Sequence, residues 1–343
     1  MFKSYRKLSL STAVAIALLS AILAAPAGAA EAVRLKYSNF LPPLHAHSVL
    51  IDQWGKELEK RTDGRVKVSQ FAGNTLTPAN QTYDAVVKGI TDIGLSILSY
   101  TPGRMPLSEV LTLPLGVKSG YQASHLANAF YKKFKPKELD DVKIFFLMGP
   151  GPFIWHSKNP VAKMDDLKGI RFKSDANTSK IVAAAGATPT TMPMSETYDA
   201  MKRGLAEGVL NPVETLKGWK FADVAGYTWE NYGSASTNSF FVAMNKEKWS
   251  ALPKDIQAIM DKLNEEWFEK HAKVWSEIDE ESREWSLKKG HKFTKANPED
   301  EAKMGERMKP VLDKYVADMK EKGLPGEEAL KFALDFVKTA PVK

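Results

Sequence analysis

The sequence of 343 residues contains no cysteine. The chain therefore forms no disulfide bond, and it has no N-terminal cysteine that could carry the acyl chains of a lipid anchor. An oxidising compartment would leave its stability unaffected. The absence of a thiol also excludes catalysis by a cysteine nucleophile.

Motifs that are typical of enzymes are missing as well. The sequence has no Walker-type phosphate loop and no match to G-x-G-x-x-G, H-E-x-x-H or G-x-S-x-G. The six histidines are mostly dispersed, and the pair His45 and His47 lacks an evident third and fourth metal ligand. We therefore expect no catalytic residues, no cofactor and no metal site.

A basic stripe with interleaved aromatic residues is also absent, because the lysines are scattered among glutamates and aspartates. This pattern argues against nucleic acid as a partner. With 43% hydrophobic and 26% charged residues, the chain has an ordinary globular composition, and it is long enough for two compact lobes.

The N-terminus has the order of segments found in exported proteins. Three basic residues among the first seven precede an apolar stretch from Leu8 to Ala25 and then a run of small residues. This order predicts a secretory signal peptide over residues 1–30, cleaved after Ala29 or Ala30, whereas an uncleaved anchor is the alternative. Removal of the three charges lowers the net charge from +7 to +4. We expect the mature chain in the periplasm of a Gram-negative bacterium.

Strand and helix patterns alternate along the chain, which is typical of an α/β fold with a largely parallel sheet. Apolar runs predict strands, and helical spacing with capping signals predicts helices. The predicted strands are 33–38, 66–71, 93–98, 145–148 and 239–244, and the predicted helices are 47–62 and 80–88.

A much longer helix is predicted near the C-terminus, because apolar residues recur at helical spacing from Pro253 to about Lys289. One continuous helix would extend roughly 50 Å, which is enough to brace two lobes. Two helices broken around His271 are the alternative. The Gly/Pro cluster at 149–152 predicts a hinge between the lobes. The strand near residue 239 predicts a second crossing, where the chain returns to the first lobe. We therefore expect lobe I at 31–149 and 238–277, and lobe II at 150–237 and 278–343.

Four landmarks follow one another in the middle of the chain. They are DLKGIR at 166–171, GATP at 186–189, MSETYDA at 194–200, and Gly208 with Asn211 and Pro212. These elements resemble those of the substrate-binding proteins of TRAP transporters, the DctP-like family of periplasmic receptors for organic acids. The resemblance extends from roughly Leu35 to Pro253.

The resemblance implies a two-lobed periplasmic-binding-protein fold with a hinge and a long helix that spans both lobes. It also implies a receptor that captures a small organic acid in the cleft between the lobes and delivers it to the membrane subunits of a TRAP permease. In such proteins an arginine clamps the substrate carboxylate, a Phe or Met lines the pocket, and an asparagine donates to the ligand. Here these roles fall on Arg171, Met194 and Asn211.

Arg171 also attracts attention for a chemical reason. A guanidinium in an apolar strand needs an anion or a route to water, and its planar fork of donors matches a carboxylate. We therefore predict that Arg171 is the carboxylate clamp. An ordinary surface arginine on the wet face of a strand is the alternative.

The predicted walls of the site are apolar. No arginine lies between Arg104 and Arg171, and Phe153 and Trp155 occupy the stretch where some members of the family carry a second arginine. One cation with such walls favours a monocarboxylate with an apolar or aromatic body, such as a 2-oxo or 2-hydroxy acid, over a C4-dicarboxylate, which remains an alternative. Packing of both aromatic residues inside a lobe is the other interpretation.

Further candidates lie just after predicted strands, at the edge where α/β sheets bind ligands. They are Asn39, His47, Ser96, Tyr100 and Trp219. Helix caps, loop residues and core packing are the structural alternatives for them. A periplasmic enzyme or a sensory ligand-presenting module on the same fold is the alternative to a transport receptor.

Overall fold

The computed structural model describes residues 31–342, so the predicted signal peptide lies outside the described residues. Within this range the chain forms eleven strands. They are β1 (Val33–Asn39), β2 (Val66–Phe71), β3 (Ile93–Ile97), β4 (Val142–Met148), β5 (Ile154–Ser157), β6 (Arg171–Ser174), β7 (Thr188–Thr191), β8 (Gly208–Asn211), β9 (Tyr227–Glu230), β10 (Phe240–Asn245) and β11 (Lys292–Lys295).

The same range contains ten α-helices, and short 3₁₀ turns such as Leu98–Tyr100 connect some of the elements. The helices are α1 (Ala46–Arg61), α2 (Thr82–Val87), α3 (Gly120–Phe134), α4 (Thr178–Ala184), α5 (Met194–Lys202), α6 (Glu214–Gly218), α7 (Lys246–Ala251), α8 (Lys254–Lys288), α9 (Pro298–Glu321) and α10 (Gly326–Thr339). No helix between residues 31 and 342 has both the length and the apolar character needed to cross a bilayer.

The strands form two sheets, one for each lobe. The first has the order β2-β1-β3-β10-β4, and the second β11-β9-β5-β8-β6-β7. In the first sheet, β2, β1 and β3 run parallel, and the antiparallel strand β10 lies next to β3. In the second sheet, β8, β6 and β7 run parallel, and the antiparallel strand β5 lies next to β8. The chain passes from the first sheet to the second after β4 and returns between β9 and β10. The predicted two-lobed α/β fold is confirmed.

Most predicted strands agree with the observed ones to within a residue or two. The strand 66–71 has the predicted bounds, whereas β4 begins at Val142, three residues before its predicted start. The helix α1 ends before Asp63 and Gly64, which both have a positive φ and so turn the chain out of the helix.

The helix α8 is continuous over 35 residues. It passes through His271 without a break, so the alternative of two helices is wrong. Its length of roughly 50 Å lets it pack against α1 and α3 of the first lobe and α6 of the second. One face carries Met260, Leu263, Trp267 and Trp275 into the core of the first lobe, which explains why the apolar spacing is helical throughout.

Contrary to the prediction from the sequence, not all of the C-terminal helices belong to lobe II. Ala329, Ala333 and Val337 of α10 pack with the core around α3 and β4 of the first lobe. The prediction that 278–343 belongs entirely to lobe II is therefore wrong for α10. The other predicted lobe boundaries stay predictions.

The close packing of the second sheet leads to a first prediction, at Gly208 of β8. A methyl group there would collide with the ring of Phe172 and lie 2.7 Å from the carbonyl oxygen of His156. Because backbone cannot yield as a flexible side chain can, we expect Gly208→Ala to lower the free energy of unfolding by about 1–3 kcal/mol in urea titrations.

Gly305 provides the matched control, because a Cβ at this half-buried position of α9 meets no atom within 4 Å. Gly305→Ala should leave the free energy of unfolding unchanged or raise it by about 0.5–1 kcal/mol. Equal effects of the two substitutions would contradict the packing argument.

Candidate functional site

The two sheets face each other through the ends of their strands. Strands β1 and β3 run parallel and end beside the start of the antiparallel β10. In the second sheet, β6 and β8 run parallel and end beside the start of the antiparallel β5. Open α/β sheets bind ligands at the carboxyl ends of their parallel strands. Here two such edges meet across one cleft.

A cavity lies between these edges, and we call it the cleft cavity. Its empty space amounts to about 450 Å³, including the part that opens to solvent. The residues that line it come from both lobes and from the two crossings, and they are Phe40, Leu41, Ile97, Tyr100, Pro150, Phe153, Lys173, Asp175, Met194, Asn211, Pro212, Glu214, Thr215, Trp219, Asn238, Phe240 and Trp275.

Aromatic rings form a connected wall of the cleft cavity. The ring of Phe40 lies 5.9 Å from that of Tyr100, 6.3 Å from Trp219 and 5.8 Å from Phe240, measured between centroids. Trp275 of α8 continues the wall, 5.1 Å from Phe240. These rings offer flat apolar surfaces at the spacing typical of aromatic pairs.

The cation of the cleft cavity is Lys173 in β6. Its side chain points away from Phe172, which fills the lobe core, and only 4% of the residue is exposed. Among the hydrogen bonds of the described residues, its ammonium group makes one with a side chain, to the sulfur of Met194 at 3.8 Å. Burial lowers the pKa of Lys173 below its ordinary value, while the Asp175 carboxylate opposes this shift.

Arg171 does not face the cleft, so the prediction that it clamps the ligand there is wrong. Its side chain is 46% exposed and pairs with Glu207 at 3.1 Å, and its guanidinium donates to the backbone oxygens of Gly204 and Leu205. Arg171 is the first residue of β6 and lies at the amino end, whereas Lys173 points from the same face two residues, or roughly 7 Å, nearer to the cleft.

Asp175 follows β6 and holds the lobes together. One of its oxygens accepts hydrogen bonds from the backbone of Asn177 and Thr178 at the start of α4. The other accepts from Ser99 of the first lobe, at 3.2 Å, and from Asn238 of the second crossing, at 2.9 Å. The carboxylate is therefore fixed in place beside Lys173 while the lobes are closed.

Five of the residues predicted from the sequence lie in the wall of the cleft cavity. They are Asn211, Met194, Phe153, Tyr100 and Trp219. The Tyr100 hydroxyl accepts a hydrogen bond from the backbone of Met194 at 3.1 Å and thereby links the two lobes. The amide nitrogen of Asn211 contacts the sulfur of Met194 at 3.3 Å.

The structure places the other predicted residues outside the cleft cavity. Trp155 is fully buried in the lobe core and donates to Ser234, because it lies within β5, two residues further from the cavity than Phe153. Ser96 donates to the backbone oxygen of Ala79. Predictions of ligand contact for these two residues are corrected accordingly.

Asn39 and His47 support the wall without lining it. Asn39 accepts a hydrogen bond from the backbone of Leu41 and so shapes the turn that presents Phe40. The ring of His47 lies 3.9 Å from Trp275 and shares a hydrogen bond of 2.6 Å with His271. Burial lowers the pKa of His271 to about 3, so the imidazole ring of His271 is uncharged at neutral pH.

Five polar lining residues were not predicted as ligand contacts from the sequence, namely Lys173, Asp175, Glu214, Thr215 and Asn238. A signal for the first two was available. Both lie at the carboxyl end of the strand that begins with Arg171, and that end is the usual ligand edge. Glu214 and Thr215 follow β8, whose carboxyl end lies at the same edge, whereas Asn238 carries no comparable signal because the second crossing brings it to the cavity.

A buried acid of the long helix reaches the same region. Asp279 of α8 accepts a hydrogen bond of 2.7 Å from the backbone of Glu214, and it lies against Gly151 in the first crossing, where any larger residue would collide with it. Burial, together with the nearby Glu214 carboxylate, raises the pKa of Asp279 to about 8, although Arg283 opposes the shift.

Comparison with known proteins gives consistent matches over most of the chain. The family model for bacterial extracellular solute-binding protein, family 7, named DctP, matches residues 37–318. A TRAP periplasmic solute-binding protein from Desulfovibrio salexigens is 32% identical, with a TM-score of 0.80, and the match covers 90% of this chain and 96% of that chain. Its ligand-binding site holds the C-terminus of a symmetry mate.

Two further relatives differ in the ligands they are named for. A TRAP periplasmic solute-binding protein from Bordetella bronchiseptica, solved with bound (R)-mandelate and (S)-mandelate, is 26% identical with a TM-score of 0.83, and the match covers 90% of this chain and all of that one. The C4-dicarboxylate-binding periplasmic protein DctP of Rhodobacter capsulatus is 25% identical over 308 residues, which cover 86% of this chain and 90% of that protein.

The raised pKa of Asp279 predicts a pH dependence of stability. The folded protein keeps this proton up to about pH 8, whereas the unfolded chain releases it near the ordinary value of 3.8. The protonated carboxyl of Asp279 therefore contributes its full stabilisation below pH 3.8, and this contribution is lost as the pH rises towards 8.

Asp279→Asn should remove this dependence, because the amide oxygen still accepts from the Glu214 backbone but carries no titratable proton. In thermal unfolding between about pH 5 and about pH 9, the Tm of the variant should increase relative to that of the wild type as the pH rises. Parallel curves for the two proteins would contradict the assignment.

Proposed function

Because this chain belongs to family 7 of the bacterial extracellular solute-binding proteins, the DctP family, we propose that it is a periplasmic TRAP receptor that binds an aromatic monocarboxylic acid in the cleft cavity. The receptors of this family bind small organic acids and work with membrane permeases. Delivery of the acid to the membrane subunits of such a permease is part of the proposal. The carboxylate would contact Lys173.

The observation that carries the proposal is the buried ammonium group of Lys173. A buried cation without a full set of acceptors is unfavourable, and a thioether sulfur is a weak acceptor. A ligand carboxylate would replace lost water by a charge-assisted hydrogen bond in a site of low dielectric constant. Lysine is a point charge without the planar fork of arginine, so the bidentate clamp expected from the sequence does not form part of the proposal.

The walls support an aromatic ligand body. The connected rings of Phe40, Trp219, Phe240 and Trp275 provide faces against which another ring can stack. The mandelate-bound relative agrees with this choice, because mandelate combines one carboxylate with a phenyl ring.

The remaining charges of the cavity argue against a C4-dicarboxylate. Beside its one cation the cavity is lined by two acids, Asp175 and Glu214, which are both buried. A second ligand carboxylate would lie near these acids without a cation of its own and would be repelled. The dicarboxylate-binding relative keeps this alternative open to test.

Calorimetric titration with phenylacetate, mandelate, benzoate and succinate tests the ligand class. We expect the aromatic monocarboxylates to bind with a stoichiometry of one and no turnover, and succinate to bind at least tenfold more weakly. Tighter binding of succinate would refute the proposed class. Chemical conversion of any acid, followed by chromatography, would instead favour an enzyme.

Lys173→Met tests the role of the cation, with Arg171→Met as the matched control. Loss of a charge-assisted hydrogen bond of about 1.5–3 kcal/mol should weaken binding of the aromatic acid on the order of 10- to 100-fold. The free energy of unfolding should rise, because a buried charge is replaced by an apolar side chain of similar length.

Arg171→Met should leave the affinity unchanged, since this side chain pairs with Glu207 outside the cleft. Calorimetry and urea unfolding measure both quantities on the same samples. Loss of binding in the Arg171 variant alone would restore the arginine clamp and overturn the assignment to Lys173.

A further inference from the structure

Asn238 has an unusual position in the wall of the cleft cavity. It lies in the second crossing, two residues before β10, and is only 5% exposed. Its amide nitrogen donates to an oxygen of Asp175 at 2.9 Å. A carboxylate can only accept hydrogen bonds, so this contact determines which end of the amide faces Asp175. The amide oxygen must face the other way.

That oxygen has no hydrogen-bond partner among residues 31–342. A buried carbonyl oxygen without a donor is unfavourable, and such groups in native proteins are few. Rotation of the amide cannot relieve the problem, because it would bring two oxygens together at Asp175. A donor is therefore missing from this point of the cavity wall.

Asp175 also connects this point to the cation. It follows Lys173 by two residues, and its charge is close enough to oppose the lowering of the pKa of that lysine by burial. Its orientation is fixed by the backbone of Asn177 and Thr178. A carboxylate bound at Lys173 therefore lies on the side of the cavity where Asn238 presents its free acceptor. The missing donor belongs on the ligand, near its carboxylate.

We propose that the side-chain oxygen of Asn238 accepts a hydrogen bond from a hydroxyl group on the carbon next to the ligand carboxylate, so that the site selects 2-hydroxy acids. A 2-oxo acid would place its carbonyl oxygen against that of Asn238 and be repelled. A 2-amino acid would add an ammonium group near Lys173. An acid without a substituent would leave the acceptor unpaired. This inference rests on the proposed function, because it requires a carboxylate at Lys173.

The test compares three acids that differ only at that carbon: mandelate, phenylglyoxylate and phenylacetate. Calorimetry on the wild-type protein should rank mandelate first by roughly tenfold or more over phenylacetate, with phenylglyoxylate weakest. Equal binding of mandelate and phenylacetate would overturn the inference while leaving the receptor function intact. Failure of all three acids to bind would overturn the proposed function itself.

Two variants locate the preference. Asn238→Ala removes the acceptor, and the advantage of mandelate over phenylacetate should fall to nearly one. Ser99→Ala removes the other hydrogen bond to the same oxygen of Asp175 but keeps the Asn238 carbonyl, so it should preserve the ranking even if all affinities change together. A mandelate preference that survives Asn238→Ala, or that disappears equally in Ser99→Ala, would contradict a role of Asn238 as the acceptor. The wild-type ranking decides the question if a variant fails to fold.

Discussion

The buried charge of Lys173 is the constraint on which the cleft cavity depends. An ammonium group with little access to water needs acceptors, and within residues 31–342 it has a hydrogen bond to a sulfur and the nearby carboxylate of Asp175. That carboxylate must therefore stay where it is. The first turn of α4 holds one of its oxygens, and donors from the first lobe and the second crossing hold the other. The charge in the second lobe is thus linked to closure against the first.

The same linkage appears in the other contacts between the lobes. Tyr100 accepts from the backbone of Met194, the ring of Phe40 stacks on Trp219, and His45 lies 3.4 Å from Glu214. Each contact joins a residue of one lobe to one of the other, so opening of the cleft would expose the aromatic wall and rehydrate Lys173 together. The continuous helix α8 runs along both lobes and brings Trp275 and Asp279 to the same region. A receptor that closes around an anion needs this kind of coupling between charge, wall and hinge.

Sequence patterns predicted the fold well because its signals are local. Alternating apolar residues, turn glycines and the helical spacing along α8 depend on neighbours within a few positions, and they located most strands and the long helix. The site was harder to predict. The same strand offered Arg171 and Lys173 two residues apart, and chemical preference for a guanidinium favoured the first, although Arg171 starts the strand and faces solvent beside Glu207. Likewise Phe153 and Trp155 look equivalent in sequence and pack in the same core cluster, but only Phe153 reaches the cavity, because Trp155 lies two residues further along the chain within β5.

The amino-acid sequence by itself determined the α/β class, the long brace helix, the family resemblance and the apolar character of the binding region, because each follows from residue periodicity or from short ordered motifs. Only the tertiary structure decided which cation lies in the cleft, that two acids and Asn238 share its wall, and that α10 packs on the first lobe. Those features arise where distant segments meet: strand direction selects the end of β6 that faces the cleft, and the crossing before β10 brings Asn238 to Asp175. Local sequence patterns carry no information about such contacts, because contacts between distant segments depend on how whole helices and strands pack.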